Sequence, residues 1–286
     1  MIGANGQLGS DLVVELNRRG WESVPLTHKE IAVEDLSSVR QALRSSRPDA
    51  VLNTAAFHIV PKCEEDPVRA YQVNALGALN VARVCDELGA LSIYYSTDYV
   101  FDGSQLRPYT EEDRPNPLNV YASTKLSGEY FTLNYARKSL VLRVSGIYGR
   151  VPCRAKGANF ITTMIKAAKE KPEVRVVTDE VLSPTPTAEI ARRTLDVIVR
   201  GAVGLFHLVA EGQCSWYEFA TVIFGALDLK TPLVPTTTKE FPSSVKRPSY
   251  SALENARLRA EGLSTMPHWK DALVAFLLKE YAPAHL

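Results

Sequence analysis

Gly3-Ala4-Asn5-Gly6-Gln7-Leu8-Gly9 spaces three glycines three residues apart, and an amphipathic run with Leu12, Val13 and Leu16 on one face follows at once. Glycines at such a turn let the backbone approach a pyrophosphate closely. The free N–H groups and dipole of the helix that follows stabilise the negative charge. The confirming context is a strand immediately before the turn, and here only Met1-Ile2 precede it. By itself the stretch fits an ordinary glycine-rich turn as well as a dinucleotide site. The shortened strand carries the expectation of a trimmed start, because a central strand buried on both faces normally aims this turn.

What lies beyond the turn favours the nucleotide-binding reading. Apolar runs predict strands at 23–26, 50–53, 91–96 and 140–143, alternating with helical patterns at 9–19, 37–45, 67–88 and 121–137. That alternation marks successive βαβ units and a mostly parallel sheet. After Tyr148 it loosens into a helix at 159–170, a strand at 174–177, a loop at Ser183-Pro184-Thr185-Pro186 and a helix at 187–200. Residues 204–208 are expected to return to the main sheet, followed by helices at 215–227 and near 270–279. The expected organisation is a dinucleotide-binding domain of 1–147 plus about 187–212, and a smaller lobe of about 148–186 and 213–286.

Composition removes several classes of function. The 286 residues carry 33 Lys+Arg against 32 Asp+Glu, a formal charge of +1, and no basic face that would release counterions from a nucleic acid. Cys63, Cys85, Cys153 and Cys214 are far apart and form no C-x-x-C pair or His-flanked cluster, so neither zinc nor a redox dithiol is expected. Reduced cysteines, the absence of an apolar run of about 20 residues and the absence of a signal-peptide pattern point to a cytoplasmic protein with no membrane partner.

Tyr121-Ala122-Ser123-Thr124-Lys125 sets a phenol and an ammonium four residues apart, hence on one face of a helix. A tyrosine of pKa about 10 is a poor acid–base catalyst at neutral pH, and an adjacent cation is expected to lower that value. A surface helix pair would have the same spacing. Position gives the pair its weight: Ser96-Thr97-Asp98 ends a predicted parallel strand 24 residues before Tyr121, where such sheets place ligands. A hydroxyl there can hold a carbonyl oxygen beside the phenol, although Thr97 and Asp98 also suit a helix cap and a local turn.

Five motifs in order carry a resemblance. Gly3-x-x-Gly6-x-x-Gly9, Asn53-Thr54-Ala55-Ala56, Ser96-Thr97-Asp98-Tyr99-Val100-Phe101-Asp102-Gly103, Tyr121-x-x-x-Lys125 and Leu142-Arg143-Val144-Ser145-Gly146-Ile147-Tyr148-Gly149 resemble the extended short-chain dehydrogenase/reductases. Within them, Pro117-Leu118-Asn119-Val120-Tyr121, Ser215-Trp216-Tyr217-Glu218-Phe219-Ala220 and Arg247-Pro248-Ser249-Tyr250-Ser251-Ala252-Leu253 are similar to the dTDP-4-dehydrorhamnose reductase family over essentially the whole chain. The resemblance implies an α/β fold, a Rossmann-type doubly wound parallel sheet with a discontinuous C-terminal α/β substrate lobe. It implies NADPH-dependent reduction of a nucleotide-linked 4-keto sugar, most simply dTDP-4-dehydro-L-rhamnose.

Carried over residue by residue, it makes Tyr121 the proton donor, Lys125 its electrostatic partner and a ligand of the nicotinamide ribose, and Thr97 the carbonyl-positioning hydroxyl. Gly3, Gly6, Gln7 and Leu8 are expected near the pyrophosphate, Ala55, Ala56 and Phe57 on the adenosine and ribose side, and Asn74 tied to the active site. Candidate substrate contacts are Thr97, Asp98, Phe101, Tyr121, Asn159 and Arg247. A nucleotide-sugar partner and a homodimer are in keeping with the family. Asp11 and Glu189 fall near the acidic residues that hold magnesium between subunits of some relatives, and no metal is assigned.

Cofactor choice turns on Pro25-Leu26-Thr27-His28-Lys29, which has no acid before Glu30 to bind a ribose 2′-hydroxyl. His28 and Lys29 suit a 2′-phosphate instead, so NADPH is expected, with NADH as the other cofactor to test. The chain departs from the family at Ala32, where an aspartate is common, and at Gly146, where rhamnose-pathway enzymes carry a tryptophan against the substrate. The second change leaves the sugar open. An epimerase or a reductase of another nucleotide sugar is the enzymatic alternative, and tightly held NAD+ would mark the epimerase. A non-catalytic regulator, like the regulatory subunit of methionine adenosyltransferase, is the alternative from another class. Capture of a synthetase subunit without turnover of any 4-keto sugar would mark it.

Overall fold

The computed structural model describes residues 1–281 except 154, 156, 242, 264 and 265. In chain order the elements are α1 (Gln7–Arg18), α2 (Leu36–Ser46), β1 (Ala50–Asn53), α3 (Val60–Glu65), α4 (Pro67–Tyr71), a π-turn (Gln72–Leu76), α5 (Gly77–Leu88), β2 (Leu91–Thr97), α6 (Val120–Tyr135) and β3 (Ser139–Val144). Then come α7 (Phe160–Glu170), β4 (Val174–Val177), β5 (Val181–Leu182), α8 (Thr187–Arg200), β6 (Gly204–His207), β7 (Cys214–Ser215), α9 (Trp216–Ala226), β8 (Leu233–Thr236), α10 (Ala256–Ala260) and α11 (Trp269–Tyr281).

The main sheet runs β1-β2-β3-β6, every pair parallel. Alternate strand residues serve opposite faces. Leu52, Ile93, Tyr95, Leu140, Leu142 and Phe206 pack with Leu12 and Leu16 of α1 and Ile190 and Leu195 of α8. On the other face Val51 packs with Val39 and Leu43 of α2 and Val81 and Val84 of α5, while Tyr94 and Val141 meet Ala78 of α5. Helices on both faces make this a doubly wound α/β sheet, as the alternating pattern implied.

Ile2 does the work of the shortened strand. It forms parallel bridges to Leu26 on one side and Asn53 on the other, with Ile2 N bonded to Leu52 O at 2.9 Å and Thr54 N to Ile2 O at 3.1 Å. The strand predicted at 23–26 is reduced to the single bridge at Leu26. Since the chain passes to opposite sides of Ile2 before and after α2, the order reverses there, and such a reversal opens a crevice at the strand ends.

Two further differences affect the site. The helix predicted at 67–88 contains the π-turn, whose extra residue turns Asn74 inward: Asn74 O accepts from the Tyr94 hydroxyl at 2.9 Å. The smaller core gathers Tyr148, Ile161, Met164, Val174, Val176, Phe219, Ile223, Trp269 and Leu273 between α7, α9, α11 and β4. There β4 pairs in parallel with β8, and β5 pairs antiparallel with β7.

Candidate active site

A cleft of about 1450 Å³ lies over the carboxyl ends of the main strands and runs to the smaller core. Single ligand sites are usually about 300–1,000 Å³, so there is room for a dinucleotide and a second ligand. One end is the glycine turn. Gly3 sits at φ +78°, a region that side chains rarely occupy, and a Cβ on Gly9 would strike Gly3 O. Gly6 caps α1 without a side chain, so the helix N-terminus meets the cleft as bare backbone. The Gln7 amide donates to Ile147 O at 3.0 Å, while its buried Oε1 has no partner. A bare helix start with an unsatisfied polar atom beside it fits a phosphate-bearing, hydroxyl-rich ligand.

The other end is built by β2 and α6. Asn119 caps α6 by accepting from Ala122 N at 2.9 Å and ties it to the chain at Lys246 O, 3.0 Å away. Tyr121 and Lys125 then fall on one face, over the end of β2. Burial pushes the Tyr121 phenol well above its ordinary value, against a hydrogen bond with the Thr97 hydroxyl that favours the phenolate. The expectation that Lys125 lowers this pKa is thus corrected. The Lys125 ammonium donates to Tyr95 O at 2.6 Å and lies 4.0 Å from the centre of the Tyr94 ring, and burial lowers its own pKa to about 7, with Glu129 opposing. Tyr121 is therefore a phenol at neutral pH, the form that can give a proton away.

Asp98 stands beneath this pair. Its Oδ1 accepts from Thr97 at 3.1 Å and its Oδ2 from Ser145 at 2.9 Å and Ser251 at 2.6 Å. Burial raises its pKa to about 6 despite these bonds. Behind Lys125, buried Glu129 accepts from Ser96 at 2.5 Å and is gripped by Arg143 at 2.7 and 2.9 Å, an ion pair that holds α6 against β2 and β3.

Most residues expected at the site line the cleft: Gly3, Gly6, Gln7, Leu8, His28, Ala55 and Ala56 at the dinucleotide end, and Thr97, Asp98, Tyr121, Lys125, Asn159 and Arg247 further along. Arg247 is exposed and lies near the Glu180 carboxyl and the neutral Tyr99 phenol. Asn159 uses its side chain to cap α7, accepting from Thr162 N and donating to Gly149 O, both at 3.0 Å. Three residues do not reach the wall. Phe101 is fully buried, stacked on Tyr109 at 4.1 Å between ring centres. The Phe57 ring packs into the core with α2 and α5. Asn74 is fully buried and braces from behind: its side chain holds Phe57 N and O and the Thr124 hydroxyl at 2.8–2.9 Å.

Ser145, Ser251, Glu129 and the Phe160–Trp216 stack, 4.4 Å between centres, were not expected at the site. Glu129 follows Lys125 by one helical repeat of four on α6, a spacing that could have found it, while the others come from distant segments with no such signal. At Gly146, φ is +50° and a Cβ would meet Leu182 Cδ1 at 2.6 Å and Pro184 Cα at 3.1 Å. A larger residue there has to move the Leu182 side chain and adopt a left-handed backbone against Pro184. Asp11 accepts from Thr187 and Glu189 pairs with Arg192. Among the described residues no three His, Cys, Asp or Glu are placed to hold a metal, and no helix is long and apolar enough to cross a membrane.

This geometry has known counterparts. The family described as RmlD substrate binding domain matches residues 1–282. The spore coat polysaccharide biosynthesis protein SpsK of Bacillus subtilis is 37% identical over 97% of this chain and 95% of its own. The dTDP-4-dehydrorhamnose reductase of Escherichia coli K12 is 35% identical, covering 94% of this chain and 93% of its own. A crystal structure of dTDP-4-dehydrorhamnose reductase from Bacillus anthracis in complex with NADP superimposes with a TM-score of 0.93 at 36% identity, over 97% of both chains.

Proposed function

The chain belongs to the RmlD substrate binding domain family, and from that premise we propose that it is an NADPH-dependent reductase of a nucleotide-linked 4-keto sugar, with dTDP-4-dehydro-L-rhamnose as substrate. The observation that carries this reading is the meeting of Thr97, Tyr121 and Lys125 in the same cleft as the bare glycine turn. The division of labour follows the two cores: residues 1–147 with about 187–212 hold the cofactor, and the remainder holds the sugar nucleotide.

Reduced nicotinamide supplies the hydride when the cofactor is bound. The residues of the chain do the rest. The N–H groups at the start of α1 receive the pyrophosphate, and Ala55 and Ala56 leave room on the adenosine side. His28 would meet the 2′-phosphate, while the nearby Glu34 carboxylate is engaged by Arg69. Thr97 and Tyr121 direct their hydroxyls at the sugar carbonyl oxygen, and Tyr121 gives that oxygen its proton as negative charge develops there. Lys125, its pKa lowered by burial to about 7, stabilises the phenolate when it carries its proton. Thr97 has one hydroxyl proton, for which Asp98 Oδ1, the Tyr121 oxygen and the substrate oxygen compete, so Asp98 helps set how that proton is aimed.

The test is NADPH oxidation with enzymatically generated dTDP-4-dehydro-L-rhamnose, comparing wild type with Tyr121→Phe. The variant should lose about 10²–10⁴-fold in kcat, the usual worth of a positioned general acid, while binding NADPH as before. Equal activity in the two proteins would remove Tyr121 from the reaction, and absence of turnover by the wild type would remove the substrate assignment.

A further inference from the structure

We propose that Cys153 and His58 form a thiol–imidazole pair on the cleft wall, and that Cys153 is a site of thiol–disulfide exchange with low-molecular-weight disulfides. His58 Nε2 lies 3.0 Å from Cys153 Sγ, and His58 Nδ1 lies 3.2 Å from Ala56 O. A carbonyl oxygen only accepts, so Nδ1 carries the ring proton and Nε2 turns its lone pair to the thiol. Nucleophile, base and the group that orients the base are thus in hydrogen-bonding order, the arrangement by which proteins activate a thiol. The partners are 95 residues apart in the chain, both half-buried, and both line the cleft.

The other three thiols lack both access and a base. Cys63 and Cys85 are fully buried, and burial pushes their pKa values up to about 11 and about 12. Cys214 is buried as well and pushed higher still. Since the thiolate is the attacking form, exchange is confined to Cys153.

In the step, Nε2 takes the thiol proton as Cys153 Sγ attacks one sulfur of the disulfide. A new S–S bond forms, the old one breaks, and the departing thiolate receives the proton from His58. No net oxidation occurs beyond the disulfide supplied. The group left on Cys153 stands in the cleft that Ala56 and Phe160 also line, and on the cofactor reading above it competes with the dinucleotide for that space. The modified protein is therefore inactive, and bound NADPH shields the thiol.

Intact-mass analysis and peptide mapping after treatment with oxidised glutathione test this. Wild type should gain one adduct, at Cys153, with loss of activity reversed by a reducing thiol. His58→Gln and His58→Asn should react at least about tenfold more slowly, because the base is gone. Cys153→Ala should gain no adduct and keep its starting activity through the treatment. Circular dichroism of each variant reports folding, and agreement of the two His58 variants excludes a packing effect. First reaction at another cysteine, an unchanged rate without His58, or a Cys153 adduct that leaves activity intact would each overturn the proposal. Protection by NADPH rests on the cofactor reading above. Its absence alongside a His58-dependent adduct would count against that reading and the proposed blockage, not against the pair.

Discussion

Burial acts on Tyr121, Lys125 and Asp98 through one cause with opposite signs: it raises the phenol and the carboxyl and lowers the ammonium. The consequence for Asp98 is measurable. Its folded pKa of about 6 lies above the unfolded carboxylate value of 3.8, so the folded chain holds the proton more tightly. The contribution to stability is full below the unfolded value and is lost as pH rises through about 6. Asp98→Asn should abolish that slope, so the stability difference between variant and wild type in urea should change by roughly 2–3 kcal/mol between pH 4 and pH 7. A constant difference would show that Asp98 titrates normally.

Helix α6 carries Tyr121 and Lys125, the pair proposed to act on the substrate, and its placement depends on a close approach at Gly128. A Cβ there would strike the Tyr94 hydroxyl and meet Asn74 O at 2.6 Å, the two groups that the π-turn joins. Gly128→Ala should cost about 1–3 kcal/mol in thermal or urea unfolding, as overpacking of a buried contact does, and should lower kcat more than it weakens NADPH binding. The capped start of α6 adds a second expectation. Asn119→Ala removes the bond to Ala122 N and the tie to Lys246 O, and should cost about 1–2 kcal/mol while raising KM for the sugar nucleotide. A full loss of NADPH binding in either variant would show that α6 positions the cofactor more than the substrate.

At the scale of the molecule the cleft runs between two cores, which are joined by an apolar cluster of Val100, Phe101, Tyr109, Tyr250, Ala252 and Leu253 and by polar links beside it. Ser251 reaches Asp98 at 2.6 Å from 153 residues away, and Asn119 reaches Lys246 O. A ligand that binds only the folded chain stabilises it by mass action. NADPH at about 100 times its Kd should add about 2.7 kcal/mol and raise Tm by several degrees, read by differential scanning fluorimetry. An unmoved Tm at that concentration would contradict the cofactor site. Arg143→Met should act in the other direction, leaving Glu129 buried without its partner at a cost of about 3–5 kcal/mol.

Local chemistry wrote much of this protein directly into its sequence. The glycine spacing, the four-residue separation of Tyr121 and Lys125, and the alternation of apolar runs each follow from backbone geometry and periodicity, so the turn, the face of α6 that holds Tyr121 and Lys125, and the parallel sheet are legible without coordinates. The π-turn was not, because its extra residue is stabilised by Tyr94 and Phe57 from other segments. Phe101 and Phe57 read as site residues from their motifs, yet an aromatic side chain goes where it buries most surface, and here that is the core. Asp98 with Ser145 and Ser251, Glu129 with Arg143, and His58 with Cys153 are encounters between distant stretches of chain. Burial and hydrogen bonding set the charge and direction of those groups, and both exist only once the tertiary structure has brought the partners together.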